Sequence, residues 1–238
     1  MMKEHWAVWA MNKNERCLQI AYILHRRPFR ETSMILDVLT REQGRISLIA
    51  KGVRTSRSKW RSVLQPFSPL LISWRGKTEL MTLLTAESQG HSVFLQGDCL
   101  NAGFYLNELL IKLFQKCDPH PALFDAYEST IQQLASHTLN QKILRLFEKK
   151  VLEESGYGLQ FKDIKSDMYY RFYGDVGFMQ CELSNDIHIF SGTSLLALSS
   201  ENLNDIKILK DAKRLLRLAL AHILGSASIQ SRKLFVGV

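Results

Sequence analysis

Cationic side chains are concentrated in one stretch near the start of the chain, where they could bind phosphate. Residues 26–61 contain ten Lys/Arg and three acidic residues, a net charge of +7 against +8 for the whole 238-residue chain. The segment Lys51–Arg61 has five cations and no acid, with Trp60 among them. Cations release condensed counterions from a sugar–phosphate backbone, and an aromatic ring can stack on a base. The pattern predicts a nucleic-acid surface; the alternative is a solvated basic loop that only aids solubility.

The predicted phosphate contacts come from this stretch and from the hairpin that follows it. They are Arg26, Arg27, Arg30, Lys51, Arg54, Arg57, Lys59, Arg61, Arg75 and Lys77. Trp60 is the predicted stacking ring, and Trp74 is either a second stacking ring or a core residue. Binding through such contacts would be largely independent of base sequence and steeply salt-dependent.

No residues have the spacing of a catalytic or metal site. The chain lacks the phosphate-binding loop, dinucleotide-binding, zinc-protease and serine-hydrolase motifs, and its seven histidines share no metal-ligand spacing. Its cysteines lie far apart, which argues against a disulfide framework and a local zinc knuckle: Cys17, Cys99, Cys117 and Cys181. Glu108 and Glu148 fall in amphipathic helices, where we expect solvation or pairing and not general-base chemistry. We therefore predict no catalytic residue, no metal and no cofactor.

The composition is that of a globular protein with a polyanionic partner. The chain is 46% hydrophobic and 23% charged, with a pI near 9.4. A basic balance of this size predicts binding to nucleic acid or to an acidic membrane surface. No segment approaches the roughly 18 uncharged apolar residues of a membrane-spanning helix, and the apolar patch at residues 5–11 is too short for a signal peptide. We expect a soluble, cytoplasmic protein with reduced cysteines.

Five short apolar segments, separated by Pro and Gly, are expected to position the basic stretch. They are Leu18–His25, Ser33–Leu39, Arg45–Ala50, Leu70–Trp74 and Leu80–Thr85. Apolar residues recur at every second position in parts of them, which predicts a small antiparallel barrel. The basic segment Lys51–Arg61 would then be a long loop between the third and fourth strands. OB-folds bind nucleic acid with a barrel and loops of this kind.

The second half of the chain changes to helical periodicity. Apolar residues spaced by three and four predict one helix from Asp98, its N-cap, a second after Pro121 and a third over about 139–155. Residues 159–195 alternate aromatic and polar side chains, which predicts a small β-hairpin module. Helical spacing returns over about 204–224, and a short final helix is expected from about residue 231.

Seven segments, in order along the chain, resemble the RecO family of bacterial recombination mediators. They are residues 20–33 (IAYILHRRPFRETS), 44–54 (GRISLIAKGVR), 64–71 (LQPFSPLL), 105–110 (YLNELL), 123–127 (LFDAY), 145–148 (RLFE) and 231–235 (SRKLF). Each segment alone is a weak signal, but their number and order make the resemblance specific. Together they extend over nearly the whole chain from residue 18 onward.

The resemblance implies an α+β protein: an N-terminal OB-fold β-barrel, then a mainly helical domain with a small β-hairpin insertion related to a zinc ribbon. We place an N-terminal extension at 1–16, the OB-fold DNA-binding domain at 17–92, the helical domain at 93–158 and 196–238, and the insertion at 159–195. Many family members carry two CxxC pairs in the insertion, whereas this segment has only Cys181. We therefore expect no zinc, with Tyr170, Phe172 and Phe178 holding the module together.

The resemblance also implies a non-enzymatic role in recombinational DNA repair. Such proteins bind single- and double-stranded DNA and anneal complementary strands covered by single-stranded-DNA-binding protein (SSB). With RecR they promote loading of RecA, which makes RecA an indirect partner, and no membrane is involved. A nucleoid-associated location in the cytoplasm follows. The alternative that the composition leaves open is an OB-fold module that binds RNA.

A second site is implied by the family's contact with the SSB tail, which is acidic and ends in a phenylalanine carboxylate. Such a ligand needs an apolar pocket with a cation at its rim. Arg145, beside Leu144 and Phe147 on the third helix, resembles the family's pocket segment, with Tyr127 and Leu110 as predicted walls. The alternative is that Arg145 is an ordinary solvated helix residue.

Overall fold

The computed structural model describes residues 18–136, 139–225 and 229–234, so the predicted extension at 1–16 lies outside the described residues. The chain forms two compact units. The first comprises the described residues up to Thr40 together with Ile46–Ser92, and the second comprises Arg41–Arg45 with the described residues from Val93 onward. Strands dominate the first unit and helices the second, so the predicted α+β class is confirmed.

The first unit is a closed five-stranded barrel of the OB type. Its strands follow one another around the barrel in the order β1-β2-β3-β5-β4, with β3 and β5 parallel and β1 antiparallel to both β2 and β4. The strands are β1 Gln19–Phe29, β2 Ser33–Thr40, β3 Gly44–Ala50, β4 Leu70–Arg75 and β5 Leu80–Ser88. A short helix that the sequence did not predict, α1 (Trp60–Val63), ends the basic segment between β3 and β4.

The barrel core follows from the pleat of its strands. In β3, the side chains of Ile46, Leu48 and Ala50 point inward at every second position and are at most 1% exposed. Trp60 and Trp74 are half-buried and pack against this core cluster. Each tryptophan therefore has one part fixed by the barrel and another part facing solvent.

The described residues of the second unit form five α-helices. They are α2 Gly97–Leu113, α3 Pro121–Leu134, α4 Gln141–Glu154, α5 Gly192–Ser199 and α6 Ile206–Leu224, followed by a 3₁₀ helix at Gln230–Leu234. Helix α4 packs against α3 and α6, and the 3₁₀ helix packs against α2. The prediction of Asp98 as the cap of α2 is wrong: Gln96 occupies the N-cap position, and Asp98 lies in the first turn. No helix in the described ranges is long and apolar enough to cross a membrane.

A small three-stranded sheet lies within the second unit. Its strands are β6 Tyr169–Tyr173, β7 Gly177–Cys181 and β8 Ile189–Ser191, in the order β7-β6-β8. The ring of Phe178 stacks on Phe161 at 5.7 Å and contacts Phe172 at 5.5 Å. Arg214 of α6 donates a hydrogen bond to the Ile189 carbonyl at 2.8 Å, which joins the sheet to the helices. The sheet thus consists of the predicted hairpin and a third strand, β8, that the sequence did not predict.

Candidate nucleic-acid surface and basic pocket

The barrel unit carries a large excess of exposed cations. Its described residues include ten Lys/Arg, which are the ten predicted phosphate contacts, and four carboxylates: Glu31, Asp37, Glu79 and Glu87. All ten cations are exposed, and none of them forms an ion pair within the described part of the chain. Asp37 instead lies near His25 (3.8 Å) and accepts a hydrogen bond from Ser47 (2.8 Å). The cationic side chains are therefore available to an external anion.

Two other arginines of the basic stretch have a different environment. Arg41 and Arg45 belong to the second unit. There the Arg41 guanidinium is paired with Asp125 at 3.0 Å, which lowers the pKa of that carboxyl, and Arg45 donates to the Phe114 carbonyl at 3.0 Å. Both guanidinium groups therefore have a partner within the second unit.

Three of the predicted residues line one cleft on the barrel unit. Arg26, Arg54 and Arg61 surround a space of about 410 Å³, together with Met34, Val53, Leu64 and Gln65. Arg26 donates a hydrogen bond to the Leu64 carbonyl at 3.0 Å. Because that bond uses only one of the five N–H donors of the guanidinium, the group is held in place and can still bind a phosphate.

One backbone and one side-chain hydrogen bond fix the start of the basic loop against the β1–β2 turn. The Arg54 amide donates to the Thr32 carbonyl at 2.9 Å, and the Arg54 guanidinium donates to the Arg30 carbonyl at 3.0 Å. The Arg30 guanidinium in turn lies over the Phe29 ring, 5.2 Å from its centroid. The structure thereby brings Arg30 close to the cleft that contains Arg54.

Sheet register places the β4–β5 hairpin beside the origin of the loop. Arg75 is opposite Thr82 in the β4–β5 ladder, and Thr82 is opposite Ile49 in the β3–β5 ladder. Since neighbouring strands lie about 4.8 Å apart, the Arg75 and Ile49 backbones are separated by roughly 10 Å. Lys51 lies two residues after Ile49, and Lys77 lies two residues after Arg75. A cation therefore lies just beyond the end of each of these two strands, β3 and β4.

A second cleft of about 350 Å³ contains the predicted stacking ring. Lys59 and Trp60 form one side of it, and residues 84–88 of β5, including Glu87, form the other. Arg27 and Arg57 are exposed but line neither cleft. The sequence therefore identified the exposed cations, whereas folding decided which of them share a cleft.

A separate pocket in the second unit contains part of the predicted tail-binding site. It measures about 80 Å³ and has four cations against one carboxylate; its lining is Tyr105, Gln141, Leu144, Arg145, Glu148, Lys213, Arg217 and Arg232. Leu144 and Arg145 are the predicted residues that line it. Leu110, Tyr127 and Phe147 are at most 1% exposed and lie in the helical core, where the Tyr127 and Phe147 rings meet edge-on at 6.4 Å.

Arg145 is buried in this pocket and is not solvated. It is 5% exposed, and its Nη2 lies 3.0 Å from Oε1 of Glu148, which is 2% exposed. The Tyr105 hydroxyl donates to the same Oε1 at 2.6 Å. Burial and the neighbouring Glu148 charge raise the pKa of Tyr105, so its hydroxyl remains a donor. Arg145 Nε and Glu148 Oε2 are buried and have no hydrogen-bond partner among the described residues.

Sequence reasoning missed three cations of the pocket. Lys213 and Arg217 lie one turn apart on α6, a spacing that could have revealed a basic face, and Arg232 comes from the 3₁₀ helix. Burial lowers the pKa of Lys213, and the positive charges of Arg145 and Arg217 lower it further. A bound anion would relieve this repulsion, so the pocket is suited electrostatically to a negatively charged ligand.

The described residues do not fit a zinc site of the kind that the family resemblance implies for the insertion. No group of three or more His, Cys, Asp or Glu side chains in the described ranges could hold a metal ion. Within the insertion at 159–195 the chain has a single cysteine, Cys181. Tetrahedral structural zinc sites need four ligands, usually with at least two cysteines.

Comparison with known proteins identifies relatives along almost the whole chain. Residues 14–90 match the family model of the recombination protein O N terminal region, and residues 96–185 match that of its C terminal region. Proteins named DNA repair protein RecO are similar: that of Coxiella burnetii (strain CbuG_Q212) is 42% identical over 91% of this chain and 96% of its own. The protein of Haemophilus influenzae (strain 86-028NP) is 42% identical over 92% of this chain and 95% of its own. The protein of Aliivibrio fischeri (strain MJ11) is 39% identical over 93% of this chain and 96% of its own.

Proposed function

The chain belongs to the RecO family of DNA repair proteins, and on this premise we propose that it is a non-enzymatic recombination mediator. The barrel unit binds single- and double-stranded DNA, and the basic pocket binds the acidic tail of SSB. Together these sites anneal strands covered by SSB, and with RecR the protein promotes RecA loading in the nucleoid region of the cytoplasm. The observation that carries the proposal is the set of ten exposed cations in the barrel unit, none of which has a carboxylate partner among the described residues.

Annealing then has a simple physical basis. Two polyanionic strands repel each other, and a cationic surface that replaces condensed counterions screens both of them. Base pairing completes the exchange, so no covalent bond is made or broken. The half-buried Trp60 contributes by stacking on an unpaired base, because stacking tolerates any base sequence.

The salt dependence of binding to single-stranded DNA tests the barrel surface. Replacing Arg54, Arg57 and Lys59 with alanine should reduce the affinity and make the plot of log K against log salt less steep by about 2, since each phosphate contact contributes a slope of about −0.7. The matched control replaces Lys165, Lys207 and Lys210, three exposed lysines of the second unit that form no ion pair with any described residue. If the first variant keeps both the wild-type affinity and the wild-type slope, this surface does not bind DNA.

The tail-binding role is tested with a synthetic peptide of several aspartates ending in phenylalanine with a free carboxylate. Arg145→Glu should abolish binding, because it places a second carboxylate beside Glu148. Lys213→Glu, a variant in the pocket wall, guards against a folding defect of the first variant. Wild-type affinity in a folded Lys213→Glu protein would remove the pocket from the proposal.

Two assays separate this function from the other classes. Competition between single-stranded DNA and RNA of equal length tests the RNA-binding alternative, because recognition of the 2′-hydroxyl would favour RNA. Labelled DNA incubated with the protein and Mg²⁺ should remain at full length. Shortened products would contradict a non-enzymatic role.

A further inference from the structure

One face of α2 carries the groups that hold the last described segment of the chain. Asn101, Tyr105, Glu108 and Lys112 are spaced by four, three and four residues, so they lie along a single face of the helix. The first three contact residues 229–234, which we call the C-terminal strap. The strap contains the 3₁₀ helix, and its first residue, Ile229, is 6% exposed and anchors it by burial.

Glu108 caps the 3₁₀ helix of the C-terminal strap. Its Oε1 accepts a hydrogen bond from the Gln230 amide at 2.8 Å, and its Oε2 accepts one from the Ser231 amide at 2.7 Å. These are the first two residues of the 3₁₀ helix, whose amides have no partner within the helix. At the other end, the Asn101 side chain donates to the Leu234 carbonyl at 3.0 Å. Both ends of the strap are thus attached to α2.

The residue after the cap is the one that enters the basic pocket. The Arg232 guanidinium lies over the Tyr105 ring at 5.6 Å, and its Nη2 is 3.4 Å from the Tyr105 hydroxyl. Arg232 forms part of the pocket lining, whereas Glu108 does not. Glu108 can therefore affect a pocket ligand only through its charge or through the position of the strap.

We propose that Glu108 is a positioning residue for the basic pocket: it holds the C-terminal strap so that Arg232 is presented to an acidic peptide bearing a C-terminal carboxylate. The inference rests on the proposed tail-binding function and adds two residues to it, Glu108 and Arg232. Positioning and simple electrostatics predict opposite outcomes. Removing the negative charge of Glu108 should strengthen binding of an anion if charge alone matters, and should weaken it if the position of Arg232 matters.

The experiment measures binding of the aspartate-rich peptide with a C-terminal phenylalanine to the full chain. We expect Arg232→Ala and Glu108→Ala each to lower the affinity about tenfold, the usual scale for one charge-assisted contact. The double variant should be no weaker than either single variant, because both remove the same contact. Glu108→Gln, which retains one acceptor oxygen, should fall between wild type and Glu108→Ala. Glu182→Gln removes a charge from an exposed position of the same unit and should bind normally.

Amide hydrogen exchange provides a readout that does not depend on the peptide. In Glu108→Ala the amides of Gln230 and Ser231 should lose protection, while amides in α4 and α6 keep theirs. Unchanged protection at these two amides, or a peptide affinity equal to or above that of wild type, overturns the inference. If wild-type protein does not bind the peptide, the tail-binding function is refuted, and the exchange result alone decides whether Glu108 holds the strap.

Discussion

The two candidate sites of this protein hold their positive charge in opposite ways. On the barrel unit, ten cations are exposed, with no ion pair among the described residues. In the basic pocket, Arg145 is buried, paired with Glu148 and surrounded by Lys213, Arg217 and Arg232. Exposed cations without a carboxylate partner can follow any sugar–phosphate backbone, because neutralising phosphates needs no fixed geometry. A buried, hydrogen-bonded arginine has one geometry and suits one kind of ligand.

The two sites also differ in how much their charged side chains contribute to the stability of the fold. Exposed charges in high dielectric contribute little to folding, so the barrel surface can be replaced without unfolding the protein. A buried charge that loses its partner is costly, so the pocket is part of the framework of the helical unit.

The largest effect is expected from breaking the buried pair. Glu148→Ala leaves the Arg145 charge without its partner at 3.0 Å and should lower the free energy of unfolding by about 3 kcal/mol. Glu79→Ala, at an exposed position of the barrel unit, should change it by less than about 0.5 kcal/mol. Urea denaturation of the two variants measures the difference. Equal stabilities would mean that the buried pair has no structural importance.

The second effect is the salt dependence of the two sites. If the barrel contacts about five phosphates of single-stranded DNA, the affinity for this DNA should fall roughly a hundredfold between about 50 and 200 mM salt. Peptide binding in the pocket should fall less than about tenfold, since buried pairs are screened much less than exposed ones. Fluorescence anisotropy across the same salt series measures both. Parallel losses of affinity would show that the two sites do not differ in kind.

The smallest effect is a pH dependence of the C-terminal strap. Burial raises the pKa of Glu108, but hydrogen bonds from Ser231 and Gln230 and the nearby Lys112 outweigh it, so the pKa is lowered overall. A carboxylate with a lowered pKa stabilises the fold above its ordinary pKa, and this contribution is lost as the pH falls through the lowered value. The urea midpoints of wild type and Glu108→Gln should therefore differ at neutral pH, and this difference should disappear at acidic pH. A difference that is constant with pH would contradict an ionised cap.

Local sequence patterns predicted most of the fold. Turn formers and alternating apolar residues located all five barrel strands, since turns and pleats depend on near neighbours. The family resemblance is confirmed as well. Helices α1 and α5 were missed because each is shorter than the window in which helical periodicity is visible: four and eight residues. The cap of α2 was wrong because Asp98 is a good capping residue by type, but the chain turns into the helix two residues earlier.

The sequence predicted the cations of the barrel surface but only part of the basic pocket. The sequence alone determined that positive charge is concentrated in the basic stretch, and this concentration predicts a polyanionic partner, because charge and its local density need no tertiary structure. Only the tertiary structure decided that Arg26, Arg54 and Arg61 share a cleft. It also decided that Arg145 meets Lys213, Arg217 and Arg232 in one pocket. These pocket residues lie up to 87 positions apart in the chain, and only the packing of α4 against α6 and of the strap against α2 brings them together.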